Sequence, residues 1–174
     1  MLHDLDPGPN SPQIVRMIVE IPKNARNKYE YDTKLGFFRL DRPLYSPMHY
    51  PGDYGFIPGT SAEDGDPLDV LALVYEPTFS GCLTEVRPVG VLDMVDGTRP
   101  DQKILAAPIR DPRSDPIQEI ENVIPHLRRE IEHFFDIYKE LEEKQTRING
   151  WQGRKKAYAL ILESRDRYLH RRTY

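Results

Sequence analysis

Three aspartates, Asp64, Asp66 and Asp69, crowd into the run Glu63-Asp64-Gly65-Asp66-Pro67-Leu68-Asp69. Two like charges about 4 Å apart repel by roughly 1 kcal/mol in water and roughly 4 kcal/mol at an effective dielectric of 20. A cluster of this kind calls for a cation or for protons. Pro67 fixes its own φ, pushes Asp66 towards extended backbone and offers no N–H to the neighbouring carboxylates. Asp-Gly and Asp-Pro alone make ordinary surface turns. Here the apolar run Val70 to Tyr75 follows at once and would hold Asp69 at the mouth of a strand, as a ligand candidate. A calcium EF-hand loop is excluded, because the positions that require Gly and Glu hold Asp69 and Tyr75.

Further carboxylates fall at expected strand ends and turns: Glu20, Glu30, Asp96 and Asp101, with Lys28, Arg42 and Lys103 among them. Oxygen donors without His or Cys select hard cations, Mg²⁺ or Mn²⁺, and several in one place suggest more than one ion. Fixed Lys and Arg beside such a site suit a phosphate compound, whose oxygens metals and cationic side chains would share. The histidines at 3, 49, 126, 133 and 170 have no His-x-x-x-His spacing and read as surface or packing residues. The single cysteine, Cys82, excludes an intrachain disulfide and a cysteine-based zinc site.

The elements that must position these groups begin with an apolar, β-branched strand from Ile14 to Ile21, ended by Pro22. Asn27 to Asp32 alternates, with Lys28, Glu30 and Asp32 on one face and Tyr29 and Tyr31 on the other. Phe37 to Arg42 reads as its hairpin partner. Between Pro43 and Gly59, Pro, Gly and Tyr predict an ordered but irregular segment without regular strands. Leu83–Arg87 and Val89–Val95 read as two strands separated by Pro88, and Lys103–Ile109 as another. This series of short strands suits a small closed barrel. Asp115-Pro116 then look like an N-cap and first helical residue. Leu127, Ile131, Phe134, Tyr138 and Leu141 predict a helix of about five turns from near Pro125. Asn149-Gly150 breaks that pattern, and a second helix from about Gly153 carries Ala157, Leu160 and Ile161. The basic end, Arg165, Arg167, Arg171 and Arg172, reads as a solvated helix terminus, where cations are favoured.

With 174 residues the chain has the size of one domain, expected over 14–174, behind a proline-rich loose arm at 1–13. No apolar run approaches the roughly 18 to 20 residues that span a bilayer, and Met-Leu-His-Asp lacks the features of a signal peptide, so a cytoplasmic location is expected. A net charge of −4 gives no whole-surface attraction for nucleic acid. A single-strand-binding barrel would need a basic groove with exposed stacking aromatics, whereas the candidate face is acidic. A two-metal enzyme acting on phosphate esters is the other alternative.

From about Ile14 to about Trp151 the chain resembles the family I soluble inorganic pyrophosphatases. The resemblance is carried by Val19-Glu20-Ile21-Pro22, Asn27-Lys28-Tyr29-Glu30, Leu40-Asp41-Arg42, Tyr50-Pro51-Gly52-Asp53-Tyr54-Gly55, Asp64-Gly65-Asp66-Pro67-Leu68-Asp69-Val70, Arg87-Pro88-Val89-Gly90, Asp96 with Asp101 and Lys103, and His133-Phe134-Phe135 with Tyr138-Lys139. It implies an α+β, mainly β fold: an OB-like five-stranded barrel flanked by two C-terminal helices. It also implies Mg²⁺-dependent hydrolysis of pyrophosphate and a homo-hexamer. By position, Asp64, Asp69, Asp96, Asp101, Glu20 and Glu30 would hold metal. Asp66 would be the general base, and Lys28, Arg42, Tyr54, Lys103, Tyr138 and Lys139 would bind the phosphoryl groups. Gly97 departs from the family pattern, in which many members carry a second acid after Asp96, and nothing after Ser164 matches it.

Overall fold

Period-two alternation builds the first strand, β1 (Val15–Ile21), whose Val15, Met17 and Val19 point into one apolar cluster while Ile18 packs in another. The computed structural model describes residues 1–172, except for the side chain of Arg172. Then come β2 (Asn27–Asp32), β3 (Phe37–Pro43), β4 (Asp53–Ile57), β5 (Leu68–Ala72), β6 (Leu83–Asp96), β7 (Arg99–Pro100) and β8 (Lys103–Pro108). Helix α1 (Pro125–Ile137), strand β9 (Thr146–Gly153) and helix α2 (Arg154–Arg172) complete the order. Strands β1, β4, β5, β8 and β6 form a closed ring: β6 returns to β1, and only β5–β8 is parallel. Closure leaves the ring with no open edge. The hairpin β2–β3 stands beside it, and β9 adds to the far half of β6.

Five features differ from the sequence expectation. The segment thought too irregular for a strand contains β4, buried at all five positions. Its Gly55 is what admits it, since a Cβ there would lie 1.9 Å from the carbonyl oxygen of Ile18 on β1. Pro88 does not divide two strands. It sits at a register shift between Pro88 and Gly90, and one strand of 14 residues continues through the irregularity. Asp115 caps no helix; Asp111 does, accepting from the Arg113 amide at the start of a 3₁₀ turn at Pro112–Ser114. Finally, α1 has 13 residues rather than five turns, and Leu141, which was to extend its apolar stripe, is exposed. Asn149-Gly150 lies inside β9, where Gly150 takes a φ of +120° beside a register shift against β6.

Two apolar clusters clamp the ring. One joins Leu71, Leu92 and Leu105 to Phe134, Phe135 and Tyr138 of the α1 segment; the other joins Val70, Val91 and Ile104 to Ala157, Leu160 and Ile161 of α2. Alternate residues of β5 therefore serve opposite clusters, as a strand's period requires. Asp53 is fully buried yet satisfied, accepting from the amides of Lys23 (2.8 Å) and Thr78 (3.1 Å) and from the Thr78 hydroxyl (2.6 Å). Residues 1–13, expected as a loose arm, are tied down at several points. The Tyr168 hydroxyl donates to Asp4 (2.6 Å), the Gly59 amide to His3 O (2.9 Å) and the Arg16 amide to Pro7 O (2.8 Å).

Candidate active site

The strand register explains why residues far apart in sequence share one cavity of about 600 Å³. Val70 on β5 pairs with Ile104 on β8, so Asp69 and Lys103, each one residue earlier, stand side by side. Asp101 precedes Lys103 by two residues and falls on the same side. The Lys103 ammonium donates to Asp69 Oδ2 and to Asp101 Oδ1, both at 2.5 Å. It is only 4% exposed. Burial works against its charge, but Asp69, Tyr54 and Asp101 more than offset that and hold it protonated, well above the usual lysine range. The same ammonium lies over the ring of Tyr54, 5.5 Å from its centroid.

Around this centre, β1 supplies Glu20, β2 supplies Lys28 and Glu30, and the loop between β4 and β5 supplies Asp64 and Asp66. Asp96 comes from the end of β6, and Tyr138 and Lys139 follow α1. Tyr138 is fixed by stacking on Phe134 (5.3 Å between centroids), and Lys139 Nζ donates to Asp96 Oδ2 at 2.6 Å. Lys28 bonds Glu30 and Asp41. Twelve of the thirteen residues expected from sequence line this cavity. Arg42 does not. Its guanidinium is held by Asp41 and by Glu142, accepted at Oε1 from Nε (2.9 Å) and Nη2 (2.7 Å) and at Oε2 from Nη2 (2.7 Å).

The acids are under electrostatic pressure. Burial pushes the Glu20 carboxyl up to about 8, with Asp69 and Glu30 adding to it, although Glu20 Oε1 accepts from the Tyr31 amide at 2.8 Å. Asp66 is also raised, by desolvation and then by Asp64, Asp69 and Glu30, while Arg171 opposes them. Asp64 Oδ1 accepts the Asp66 amide at 3.0 Å, so the two aspartates sit in one Asx turn with different bonding.

The donor set around the cavity is all oxygen, carries more acid than the neighbouring ammonium groups neutralise, and so fits hard divalent cations. Among the described residues no three of these acids form a closed nest. Lys103 stands between Asp69 and Asp101, and Lys139 on Asp96, so a cation would share or replace those ammonium contacts.

Two contributors escaped the sequence reading. Glu142, 6% exposed at its side chain, meets Arg42 across 100 residues. The basic end of α2 is not simply solvated: Arg167 lines the cavity, and Arg171 bonds Ser61 and Gly65. The available signal was helical spacing, which sets Ser164, Arg167 and Arg171 on one face.

A closed ring of five strands with two C-terminal helices and a carboxylate-lined cavity defines a protein of the OB-like class. The family model described as Inorganic pyrophosphatase matches residues 17–169, past Ser164 where the sequence resemblance was expected to stop, and the chain belongs to that family. An inorganic pyrophosphatase of Methanosarcina acetivorans is 49% identical over 159 residues, covering 91% of this chain and 95% of the relative. One from Geobacillus stearothermophilus is 47% identical over 156 residues, covering 90% and 94%. The solved structure of the Thermus thermophilus inorganic pyrophosphatase superposes with a TM-score of 0.94 at 44% identity, covering 97% of this chain and 98% of that one.

Proposed function

We propose that this chain hydrolyses inorganic pyrophosphate to two orthophosphates with Mg²⁺ as its cation, Mn²⁺ serving as a substitute. The observation that carries the reading is the convergence of Asp64, Asp66, Asp69, Asp96 and Asp101 with Lys28, Lys103 and Lys139 on one cavity of a pyrophosphatase-family fold. Asp64, Asp69, Asp96 and Asp101, with Glu20 and Glu30, would hold divalent cations, which when bound polarise phosphoryl oxygens and acidify water. Lys28, Lys103, Lys139, Tyr54 and Tyr138 would bind the substrate's oxygens, and Arg42, which shares Asp41 with Lys28, would join them. Asp66 would take the proton of the attacking water; its raised affinity for a proton, imposed by burial and by Asp64, suits a base. A cytoplasmic homo-hexamer is the assembly this reading carries with it.

Phosphate release from pyrophosphate, measured with and without Mg²⁺, tests the reading; p-nitrophenyl phosphate and single-stranded DNA serve as competitors for the assignment. Asp66→Asn in a folded chain should lower turnover by about 10² to 10⁴-fold. An unchanged rate removes Asp66 as the base, and a preference for the ester or for DNA removes the substrate.

A further inference from the structure

The loop that carries Asp64 and Asp66 contains three acids between Ser61 and Pro67 and no basic residue of its own. Part of its shape comes from within. The Ala62 amide donates to Asp66 O (2.7 Å), the Gly65 amide to Ala62 O (3.1 Å) and the Asp66 amide to Asp64 Oδ1 (3.0 Å). The rest comes from α2, a hundred residues further along the chain. The Ser61 amide donates to Ser164 O at 2.8 Å, and one helical face further on Arg171 Nη1 donates to both Ser61 Oγ (2.8 Å) and Gly65 O (3.1 Å).

Contact at Gly65 is close. The residue has a φ of +101°, where a side chain is strained, and a Cβ there would come within 2.7 Å of Arg171 Nη1. The arginine thus seats itself on bare backbone at the apex of the turn, with one nitrogen bridging its start and its centre. A cation that merely complements the helix dipole would stay near the last carbonyls of its own helix. Arg171 instead reaches across to another element, and Ser61, its first acceptor, is itself buried. Arg167, one turn earlier, lines the cavity on the same side.

We infer that Arg171 is a positioning residue: the last turns of α2 act as a brace that fixes the Ser61–Asp66 turn, and with it the direction in which Asp64 and Asp66 face the cavity. The catalytic consequence rests on the function proposed above, but the brace itself does not. Groups that orient ligating carboxylates typically change metal affinity or activity by 10 to 100-fold when lost.

The test compares Arg171→Ala, Arg171→Lys and Ser61→Ala with the parent chain in two measurements. The first is amide hydrogen exchange of metal-free protein; the second is the Mg²⁺ concentration that half-activates pyrophosphate hydrolysis. Arg171→Ala should speed exchange about tenfold at Ala62, Gly65 and Asp66 while leaving the ring strands unchanged, and raise the Mg²⁺ midpoint about tenfold, with turnover at saturating Mg²⁺ within about twofold. Arg171→Lys, which keeps a cation and a donor, should fall between, and Ser61→Ala, which removes one acceptor of Arg171 and the hydroxyl's own donation to Gly65 O (3.3 Å) but leaves the Arg171–Gly65 bond, should shift both readouts less than Arg171→Ala. Exchange unchanged in the loop, or raised equally throughout the ring, overturns the brace. Loosened loop amides in a chain inactive towards pyrophosphate would uphold the brace and sink the proposed substrate instead.

Discussion

Glu20 makes the stability of the metal-free protein depend on pH in a direction opposite to that of most carboxylates. Its carboxyl is pushed from 4.5 up to about 8 by burial, with Asp69 and Glu30 adding to the effect. Below pH 4.5 both folded and unfolded chains carry the proton and the group contributes fully. Between 4.5 and about 8 the unfolded chain releases it while the folded chain keeps it, so stability falls as pH rises; above about 8 the loss is complete. At about 1.4 kcal/mol per pH unit the whole window is worth at most about 5 kcal/mol, less what water reaching the carboxylate through the cavity returns. Urea unfolding of chelator-treated protein, followed by the fluorescence of Trp151 at fixed protein concentration from about pH 5 to about pH 9, reads this directly. Glu20→Gln keeps an acceptor for the Tyr31 amide and should remove most of the slope, leaving only what the raised Asp66 contributes. Mg²⁺ should flatten the wild-type slope too, because a cation favours the ionised acid. A flat wild-type profile, or an undiminished slope in Glu20→Gln, would refute the reasoning.

Lys103→Met deletes the buried ammonium that bonds Asp69 and Asp101 and leaves two half-buried carboxylates without it. The expected loss is about 1 to 3 kcal/mol in chelator and clearly less in Mg²⁺, read by thermal melting in both; equal losses would mean that Lys103 acts only through packing. Glu142→Gln weakens the charge-assisted grip on Arg42 while retaining an acceptor. If Arg42 meets substrate, KM for pyrophosphate should rise about tenfold, or about 1.4 kcal/mol, with kcat little changed. A KM equal to that of the parent would separate Arg42 from the site.

What was legible in the sequence was local. An apolar, β-branched run exposed β1, alternation exposed β2 and a hairpin signal β3, and the three aspartates announced themselves because they share one turn. The strand β4 was hidden because Gly55, which would weaken an isolated strand, is demanded by the approach of β1. Strand β9 was hidden by Asn149-Gly150, a turn signal that a bulge absorbs. The continuity of β6 through Pro88 depends likewise on which strands lie beside it. In the site, family motifs named the residues that converge, and helical spacing set Arg171 on one face with Ser164 and Arg167, yet the partners of Glu142 and Arg171 could not be read from the sequence, since each contact closes a loop of 100 residues or more. Pairings across such distances are decided by the packed ring, not by the local pattern.

The ammonium of Lys103, wedged between Asp69 and Asp101, also bears on the order of events in the life of the molecule. Many small metalloproteins gain their fold only when the ion arrives, so that synthesis and metal supply are locked together. Here the chain carries a resident counter-charge delivered by the same strand that builds the ring. On the function proposed above, that counter-charge would let the ring form before the divalent cations arrive, and activity would follow their binding. Loss of divalent cation would then be a reversible pause in activity rather than a sentence to unfolding.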